Sequence, residues 1–177
     1  MSSYSELMKS PEEGALEVVV GRLLKRRGLN LAVAESCTGG LVSHRVTDVP
    51  GSSAYYQGAV VSYSNEIKEC VLHVRCDTLE RYGAVSEQVA CEMAQGVRDV
   101  LRADIGLAVT GIAGPDGGTP EKPVGLVYIA LAALDGVWVE RHVWQGDRGD
   151  HLERWENKAR SAEAMLDLLQ RYLEGQL

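Results

Sequence analysis

The sequence predicts an α/β protein, a single-domain three-layer α/β/α sandwich with a mixed β-sheet. Three observations predict this class. Short apolar runs alternate with amphipathic segments, polar or Gly-rich turns follow the apolar runs, and two strand-like segments near the C-terminal end are joined by a short turn. A chain of 177 residues suits one domain. We expect residues 1–177 to form that domain, with residues 1–10 as a flexible extension.

The first unit is predicted to be helix, strand, Gly-rich turn and helix. Residues 15–27 place apolar side chains on one helical face, and Gly28 ends that helix. Residues 31–34 are a short apolar run typical of a buried strand. After a turn that contains Gly39 and Gly40, the chain can be helical again.

The middle of the chain is predicted to contain a second strand and two capped helices. Residues 59–63 have the apolar character of a strand. Ser64 or Asn65 can cap the helix that follows, because their side chains accept hydrogen bonds from free amides of a first turn. Ser86 caps a longer helix that is predicted to end near residue 101.

The C-terminal part is predicted to contain a strand, a long loop, a hairpin and a closing helix. Residues 105–109 form the strand, and residues 125–134 and 137–143 form an antiparallel hairpin. The loop over 111–123 is long for a compact domain, and such loops are usually functional or disordered. The closing helix, from residue 150 or 151 to 173, is expected to bury Leu152, Trp155, Ala159, Ala162, Leu166 and Leu169.

Composition excludes several functions. The formal charge of −7 argues against a surface that coats nucleic acid, which needs clustered Lys and Arg. No apolar run reaches membrane-spanning length. The four cysteines and four histidines form no close ligand pair, so neither a metal nor another cofactor is expected. Reduced thiols fit a cytoplasmic protein. Exposed apolar positions on the helices are compatible with a homo-oligomer.

Hydroxyl, amine and glycine residues follow the predicted strands. Loops that leave parallel strands meet at one sheet edge, where α/β proteins usually bind ligands. We therefore expect the segments 36–40, 63–68 and 110–123 to converge. The last of these lacks the spacing of a P-loop or a dinucleotide-binding loop, but its glycines can present amides to an anion.

A serine nucleophile with an amine base is the chemistry these residues favour. A serine hydroxyl needs a neighbour that takes its proton. Lys68 is the best local candidate for that base, provided that its pKa is lowered, and Tyr63 can assist it. Ser36 and Ser53 both suit the nucleophile, and spacing alone does not choose between them.

Motifs along nearly the whole chain resemble those of the CinA C-terminal domain family, whose members include bacterial nicotinamide-nucleotide amidases. The matching segments begin with Ala34-Glu35-Ser36-Cys37-Thr38-Gly39-Gly40, Pro50-Gly51-Ser52-Ser53 and Val61-Ser62-Tyr63-Ser64-Asn65. They continue with Tyr82-Gly83-Ala84-Val85-Ser86, Val109-Thr110-Gly111-Ile112-Ala113-Gly114-Pro115, Lys122-Pro123-Val124-Gly125 and Gly146-Asp147-Arg148. The resemblance implies a stand-alone amidase form, without the N-terminal domain of full-length CinA proteins.

The resemblance also implies a reaction and roles for residues. The reaction is metal-independent hydrolysis of nicotinamide mononucleotide to nicotinate mononucleotide and ammonia, in pyridine-nucleotide recycling. Carried over by motif, the catalytic group is Ser53 with Lys68, assisted by Tyr63. The implied substrate-binding residues are Ser36, Thr38, Gly39, Gly40, Thr110, Gly111, Gly114 and Arg148. The alternative is a catalytically silent protein that binds a nucleotide or sugar phosphate through the same loops.

Overall fold

A mixed five-stranded sheet forms the centre of the molecule. The computed structural model describes residues 11–146, 149 and 152–177. Its strands lie in the order β2-β1-β3-β4-β5. Their bounds are β1 Leu31–Glu35, β2 Tyr56–Val61, β3 Ile105–Gly111, β4 Leu126–Ala133 and β5 Gly136–Val143. The first three strands run parallel to one another, and the hairpin of β4 and β5 pairs antiparallel to β3.

Helices cover both faces of the sheet. Their bounds in the described residues are α1 Leu16–Arg27, α2 Leu41–Thr47, α3 Asn65–Cys70, α4 Cys76–Tyr82, α5 Glu87–Val100 and α6 Arg154–Glu174. Side chains of α1, α2 and α6 form one core with the larger residues of the strands, and α4 and α5 form a second core on the other face. The three-layer α/β/α sandwich predicted from the sequence is confirmed.

Small residues let α5 approach the sheet closely. Alternate side chains of a strand point to opposite faces. In β1, Leu31 and Val33 face the first core, whereas Ala32 and Ala34 face α5. A β-carbon at Gly106 of β3 would overlap the Ala94 carbonyl oxygen of α5. The close packing of α5 therefore depends on alanine and glycine at the contact.

Most local predictions are confirmed. Ser64 and Ser86 both cap helices, because their hydroxyl oxygens accept from the amides of Ile67 and Val89. The predicted hairpin is present, but its turn is Leu134-Asp135, one position earlier than predicted, because Gly136 already pairs with Ala133 as the first residue of β5. 

The predicted buried face of the closing helix is wrong at Trp155 and Ala159, which are exposed. The helix begins at Arg154, and its inward face runs through Asn157, Ser161 and Met165. Trp155 precedes Asn157 by two positions, about 200° around the helix, so it points outward.

Within the described part of the chain, no helix combines the length and the apolar character that crossing a membrane requires.

Candidate active site

The carboxyl ends of the three parallel strands bring the candidate residues together. The chain leaves β1 at Ser36, β2 at Ser62 and β3 near Thr110. Two hydrogen bonds extend the sheet into these turns: the Ser36 amide donates to the Val109 carbonyl at 3.1 Å, and the Ser62 amide donates to the Glu35 carbonyl at 2.8 Å. The predicted convergence of the segments after β1, β2 and β3 is confirmed.

Lys68 lies beside Ser36 at the carboxyl ends of the parallel strands. Its Nζ donates to the Ser36 hydroxyl oxygen at 3.1 Å and to the Ser62 carbonyl oxygen at 2.6 Å. The side chain of Lys68 is 1% exposed although its helix, α3, is otherwise mostly exposed. The Ser64 cap starts α3 directly after the β2 turn, which directs Lys68 back toward the end of β1.

Burial lowers the pKa of Lys68, because a charged ammonium is disfavoured away from water. Only a charged Cys37 thiolate would oppose that shift. Among the described residues, Lys68 forms no ion pair with a carboxylate. The arrangement therefore favours an uncharged amine next to a hydroxyl, as a serine–lysine pair requires.

Cys37 stands next to Ser36 but has the opposite character. Burial, with a smaller contribution from the negative charge of Glu35, raises the pKa of its thiol to about 12. The thiol is consequently protonated near neutral pH, and a protonated thiol is a weak nucleophile. Ser36 is the nucleophile candidate at this edge.

A pocket of about 270 Å³ opens in front of Ser36 and Lys68. Tyr63 and Asn65 form one side of it, and the loop after β3 forms another. The pocket lining also contains a cation, Arg154, and an anion, Asp116. The pocket therefore offers both signs of charge in front of the hydroxyl–amine pair.

Arg154, the first residue of α6, connects two walls of the pocket. Its Nη1 donates to the Gly114 carbonyl at 2.7 Å, and its Nη2 donates to the Tyr63 hydroxyl at 2.9 Å. From the next turn of α6, Asn157 Nδ2 donates to the Ala113 carbonyl at 3.0 Å. The start of α6 thus fixes the backbone of the loop after β3.

Lys122 holds the far end of the same loop. Its Nζ donates to the carbonyl oxygens of Tyr82 and Val85, at 2.6 and 2.8 Å. These carbonyls lie at the end of α4 and in the turn that joins α4 to α5, where Ala84 and Val85 line the pocket. The long loop predicted to be functional therefore has a defined position at the pocket.

The turn after Ser36 is occupied by a carboxylate of the protein itself. Glu35 Oε2 accepts from the Thr38 hydroxyl and from the amides of Gly40 and Val42, at 2.7, 2.9 and 3.2 Å. Its Oε1 accepts from the amide and hydroxyl of Ser43, at 2.9 and 2.6 Å. Glu35 is fully buried. It therefore caps α2 from inside.

These contacts correct the expectation that Thr38, Gly39 and Gly40 bind substrate. The hydroxyl of Thr38 and the amide of Gly40 already donate to Glu35, and the Gly39 amide donates to the Ser36 carbonyl at 3.2 Å. None of the three residues lines the pocket. The Gly-rich turn shapes the site but presents no free amide from these positions.

The pairing of Ser53 with Lys68 is also corrected. Ser53 is exposed in a short 3₁₀ turn, Ser52–Ala54, which precedes β2, whereas Lys68 follows it. The Tyr55 carbonyl next to this turn accepts from the Leu31 amide at the start of β1. At about 3.3 Å per residue, β2 separates the two ends by roughly 17 Å. Ser53 therefore lies at the amino end of the parallel strands, whereas Lys68 lies at their carboxyl end.

The remaining predicted substrate-binding residues have mixed outcomes. Ser36, Thr110, Gly111 and Gly114 all line the pocket, as does Tyr63. The Thr110 hydroxyl donates to the Ala84 carbonyl at 2.8 Å, so only its oxygen lone pairs remain to face a ligand. Arg148 lies outside the described residues.

Comparison with known proteins assigns the family. The model of the CinA C-terminal domain matches residues 13–173. The chain belongs to the CinA C-terminal domain family. A relative named competence-damage inducible protein, from Halothermothrix orenii, is 54% identical over 151 residues, which cover 85% of this chain and 36% of the relative. A CinA-like protein from Geotalea uraniireducens is 53% identical over 138 residues. The chain thus spans little more than a third of the length of such curated relatives.

Solved structures of the CinA superfamily share the fold over nearly their full length. The competence/damage inducible protein CihA from Agrobacterium tumefaciens has a TM-score of 0.84 at 39% identity, covering 94% of this chain and 99% of that one. A CinA superfamily protein from Klebsiella pneumoniae has a TM-score of 0.84 at 33% identity, covering 90% of this chain and 96% of that one. The single-domain architecture described above is therefore that of the CinA fold.

Three residues of this CinA domain gained importance only in the structure: Glu35, Asp116 and Arg154. A signal existed for Glu35, because an acidic residue ends an otherwise apolar strand just before a turn and a helix. Asp116 lay in the loop predicted to be functional but had no partner in sequence. Arg154 could not be found locally, since its contact with Tyr63 spans 91 positions.

Proposed function

We propose that this domain is a serine amidase that hydrolyses the carboxamide of a nicotinamide mononucleotide, with Ser36 as nucleophile and Lys68 as base. The observation that carries the proposal is the 3.1 Å contact between Lys68 Nζ and the Ser36 hydroxyl, made by a buried lysine that has no carboxylate partner in the described residues. Resemblance to the amidases of the family supplies the substrate.

In the first half of the reaction, uncharged Lys68 accepts the hydroxyl proton of Ser36 while Ser36 Oγ bonds to the carboxamide carbon. The Ser62 carbonyl, which accepts from Lys68, holds the amine beside the hydroxyl; for proton transfer the Ser36–Lys68 hydrogen bond reverses, so that the lone pair of the uncharged amine accepts from the serine hydroxyl. The resulting ammonium then gives its proton to the amide nitrogen, the C–N bond breaks and ammonia leaves. An ester of Ser36 with the nicotinate group remains.

In the second half, water attacks the ester carbon and Lys68 accepts a proton from that water. The bond to Ser36 Oγ breaks, and the proton returns to the serine hydroxyl. Nicotinate mononucleotide is released and the free pair is restored. One amine thus acts as base and then as acid in each half, which is efficient only when its pKa lies near the working pH. Burial of Lys68 shifts its pKa in that direction.

The charges of the pocket suit a ligand that carries an anion and a cation. A guanidinium has five N–H donors. Arg154 uses one on Gly114 and one on Tyr63, so others are available for a phosphate. Asp116 is the carboxylate of the pocket lining and favours a positively charged ring. Nicotinamide mononucleotide has both a phosphate and a pyridinium ring.

Ammonia release tests the proposal. Purified protein is mixed with nicotinamide mononucleotide, and ammonia is measured for the wild type, Ser36→Ala and Ser53→Ala. We expect Ser36→Ala to lose about 10³-fold or more in kcat, because the nucleophile is gone. Ser53→Ala is the matched control and retains activity, since Ser53 is exposed at the other edge of the sheet. Saturable binding without any ammonia from the wild type would instead indicate a silent nucleotide-binding protein.

A further inference from the structure

We propose that Glu35 is a positioning residue for Ser36, which holds the turn after β1 so that the serine hydroxyl faces Lys68. The inference rests on the proposed role of Ser36. It concerns a side chain that does not line the pocket and is bonded to Ser36 through the backbone. Its carboxylate accepts five hydrogen bonds, which come from that turn and from the start of α2.

The five donors come from residues on both sides of the turn. Thr38 and Gly40 belong to the turn itself, and Val42 and Ser43 belong to the first turn of α2. Without the carboxylate, one backbone bond, from the Gly39 amide to the Ser36 carbonyl, remains within the turn. Two fully buried groups, Glu35 and Thr38, therefore set the path of the chain immediately after the nucleophile.

The position needs a carboxylate and not merely a polar side chain. Oε2 accepts from the amides of Gly40 and Val42, and Oε1 accepts from the amide of Ser43. A glutamine has one oxygen and one NH₂ group, and NH₂ only donates. Either orientation of the amide would set that NH₂ group against at least one backbone N–H. A hydroxyl can rotate to avoid such a contact, but a backbone amide cannot. In Glu35→Gln, the side-chain NH₂ group therefore faces a buried backbone N–H, and neither donor has an acceptor there.

Glu35 also keeps its negative charge away from the base. Both oxygens accept from the turn and the start of α2 and neither accepts from Lys68, whose pKa is lowered by burial. A carboxylate paired with Lys68 would stabilise the ammonium and raise its pKa. By accepting from the helix amides instead, Glu35 can stand one residue from Ser36 while the amine stays uncharged. Its effect on the reaction is then geometric.

The experiment compares Glu35→Gln with Glu17→Gln. Glu17 is a matched control, because it is also a mostly buried carboxylate on the α2 side of the sheet, but it is bonded to Arg45 at 2.6 Å and not to the residues of the Ser36 turn. Each folded variant is treated with a fluorophosphonate, which labels an activated serine hydroxyl, and the second-order rate constant of labelling at Ser36 is measured against pH. Ammonia release from nicotinamide mononucleotide is measured in parallel.

We expect Glu35→Gln to label about 10- to 100-fold more slowly than the wild type, as follows from a displaced nucleophile, while Glu17→Gln stays within about twofold. The midpoint of the pH profile should stay where it is in Glu35→Gln. A merely loosened pocket would admit water and move that midpoint upward. Wild-type labelling rates in folded Glu35→Gln, or an upward shift of its midpoint, would overturn the positioning role.

Thr38→Val provides a second test if Glu35→Gln does not fold. It removes one hydroxyl donor at nearly constant shape and leaves the other four contacts of Glu35. We expect about threefold slower labelling at an unchanged midpoint; an unchanged rate rejects the proposal. If the wild type is labelled at Ser36 but releases no ammonia, the amidase function is rejected, and the labelling rates of the variants still decide the role of Glu35. An unlabelled wild-type Ser36 would reject both.

Discussion

The guanidinium of Arg154 and the hydroxyl of Tyr63 meet 2.9 Å apart, although 91 positions separate them in the chain. One residue begins the last helix and the other follows the second strand, so their contact joins two elements that line the pocket. The same guanidinium bonds to the Gly114 carbonyl. Arg154 is therefore at once a part of the pocket frame and the cation that a phosphate would meet.

Arg154→Lys should raise KM for nicotinamide mononucleotide about tenfold, because an ammonium does not reproduce the planar fork that binds phosphate and two neighbours together. Steady-state ammonia release measures the effect. The riboside, which has no phosphate, should be affected by a smaller factor. Arg160→Lys on the same helix is the control. An equal increase in KM for the mononucleotide and the riboside would contradict phosphate binding by Arg154.

The activity should rise with pH through the lowered pKa of Lys68. The uncharged amine is the active form, so its fraction, and with it kcat/KM, increases as the pH approaches and passes that pKa. Lys68→Arg should be inactive throughout, because a guanidinium stays protonated. The exposed Lys25→Arg serves as control. A pH-independent rate in the wild type, or retained activity in Lys68→Arg, would speak against an amine base.

Asp116→Asn should discriminate between charged and uncharged rings. We expect kcat/KM for nicotinamide mononucleotide to fall about threefold, as for a partly exposed charge interaction, with little change for its dihydropyridine form. Comparing the two variant-to-wild-type ratios cancels the different reactivity of the rings. Glu121→Gln lies on the same loop outside the pocket lining and is the control. A similar loss for both rings would contradict selection by charge.

Gly96→Ala should destabilise the fold by about 3 kcal/mol or more, without a direct effect on the pocket. A β-carbon at Gly96 would overlap the Leu72 carbonyl oxygen, which is backbone and cannot swing aside. Urea unfolding measures the change. Gly14→Ala, where a β-carbon meets no atom within 4 Å, is the control. Equal stability of the two variants would show that α5 and the Leu72 backbone separate easily.

Local chemistry explains what the sequence predicted well. The caps at Ser64 and Ser86 and the hairpin of β4 and β5 depend on neighbours a few positions away; both caps were predicted, and the hairpin turn was predicted to within one position. The convergence of loops after β1, β2 and β3 was also predictable, because parallel strands place their carboxyl ends together. Fold class and the location of the site followed from these features.

Pairing across the fold was the part that sequence could not provide. Ser53 and Lys68 are only 15 positions apart, but a whole strand lies between them. Ser36 is 32 positions from Lys68 and yet within hydrogen-bond distance, since β1 and β2 are parallel neighbours. The Gly-rich turn was expected to hold an anion of the substrate; it holds the carboxylate of Glu35 instead, whose direction no local pattern specified.

The hydrogen bonds from Lys122 to the Tyr82 and Val85 carbonyls connect the long loop after β3 to the segment that precedes α5. Through these hydrogen bonds, pocket-lining residues are held by Lys122, a residue that has no role in the proposed reaction. Substitution of Lys122 would release the segment that carries Ala84 and Val85 in the pocket lining, while the contact between Lys68 and Ser36 does not depend on Lys122. Substitution of Lys122 should therefore affect which ligands enter the cavity more than the reaction of a ligand once it is bound.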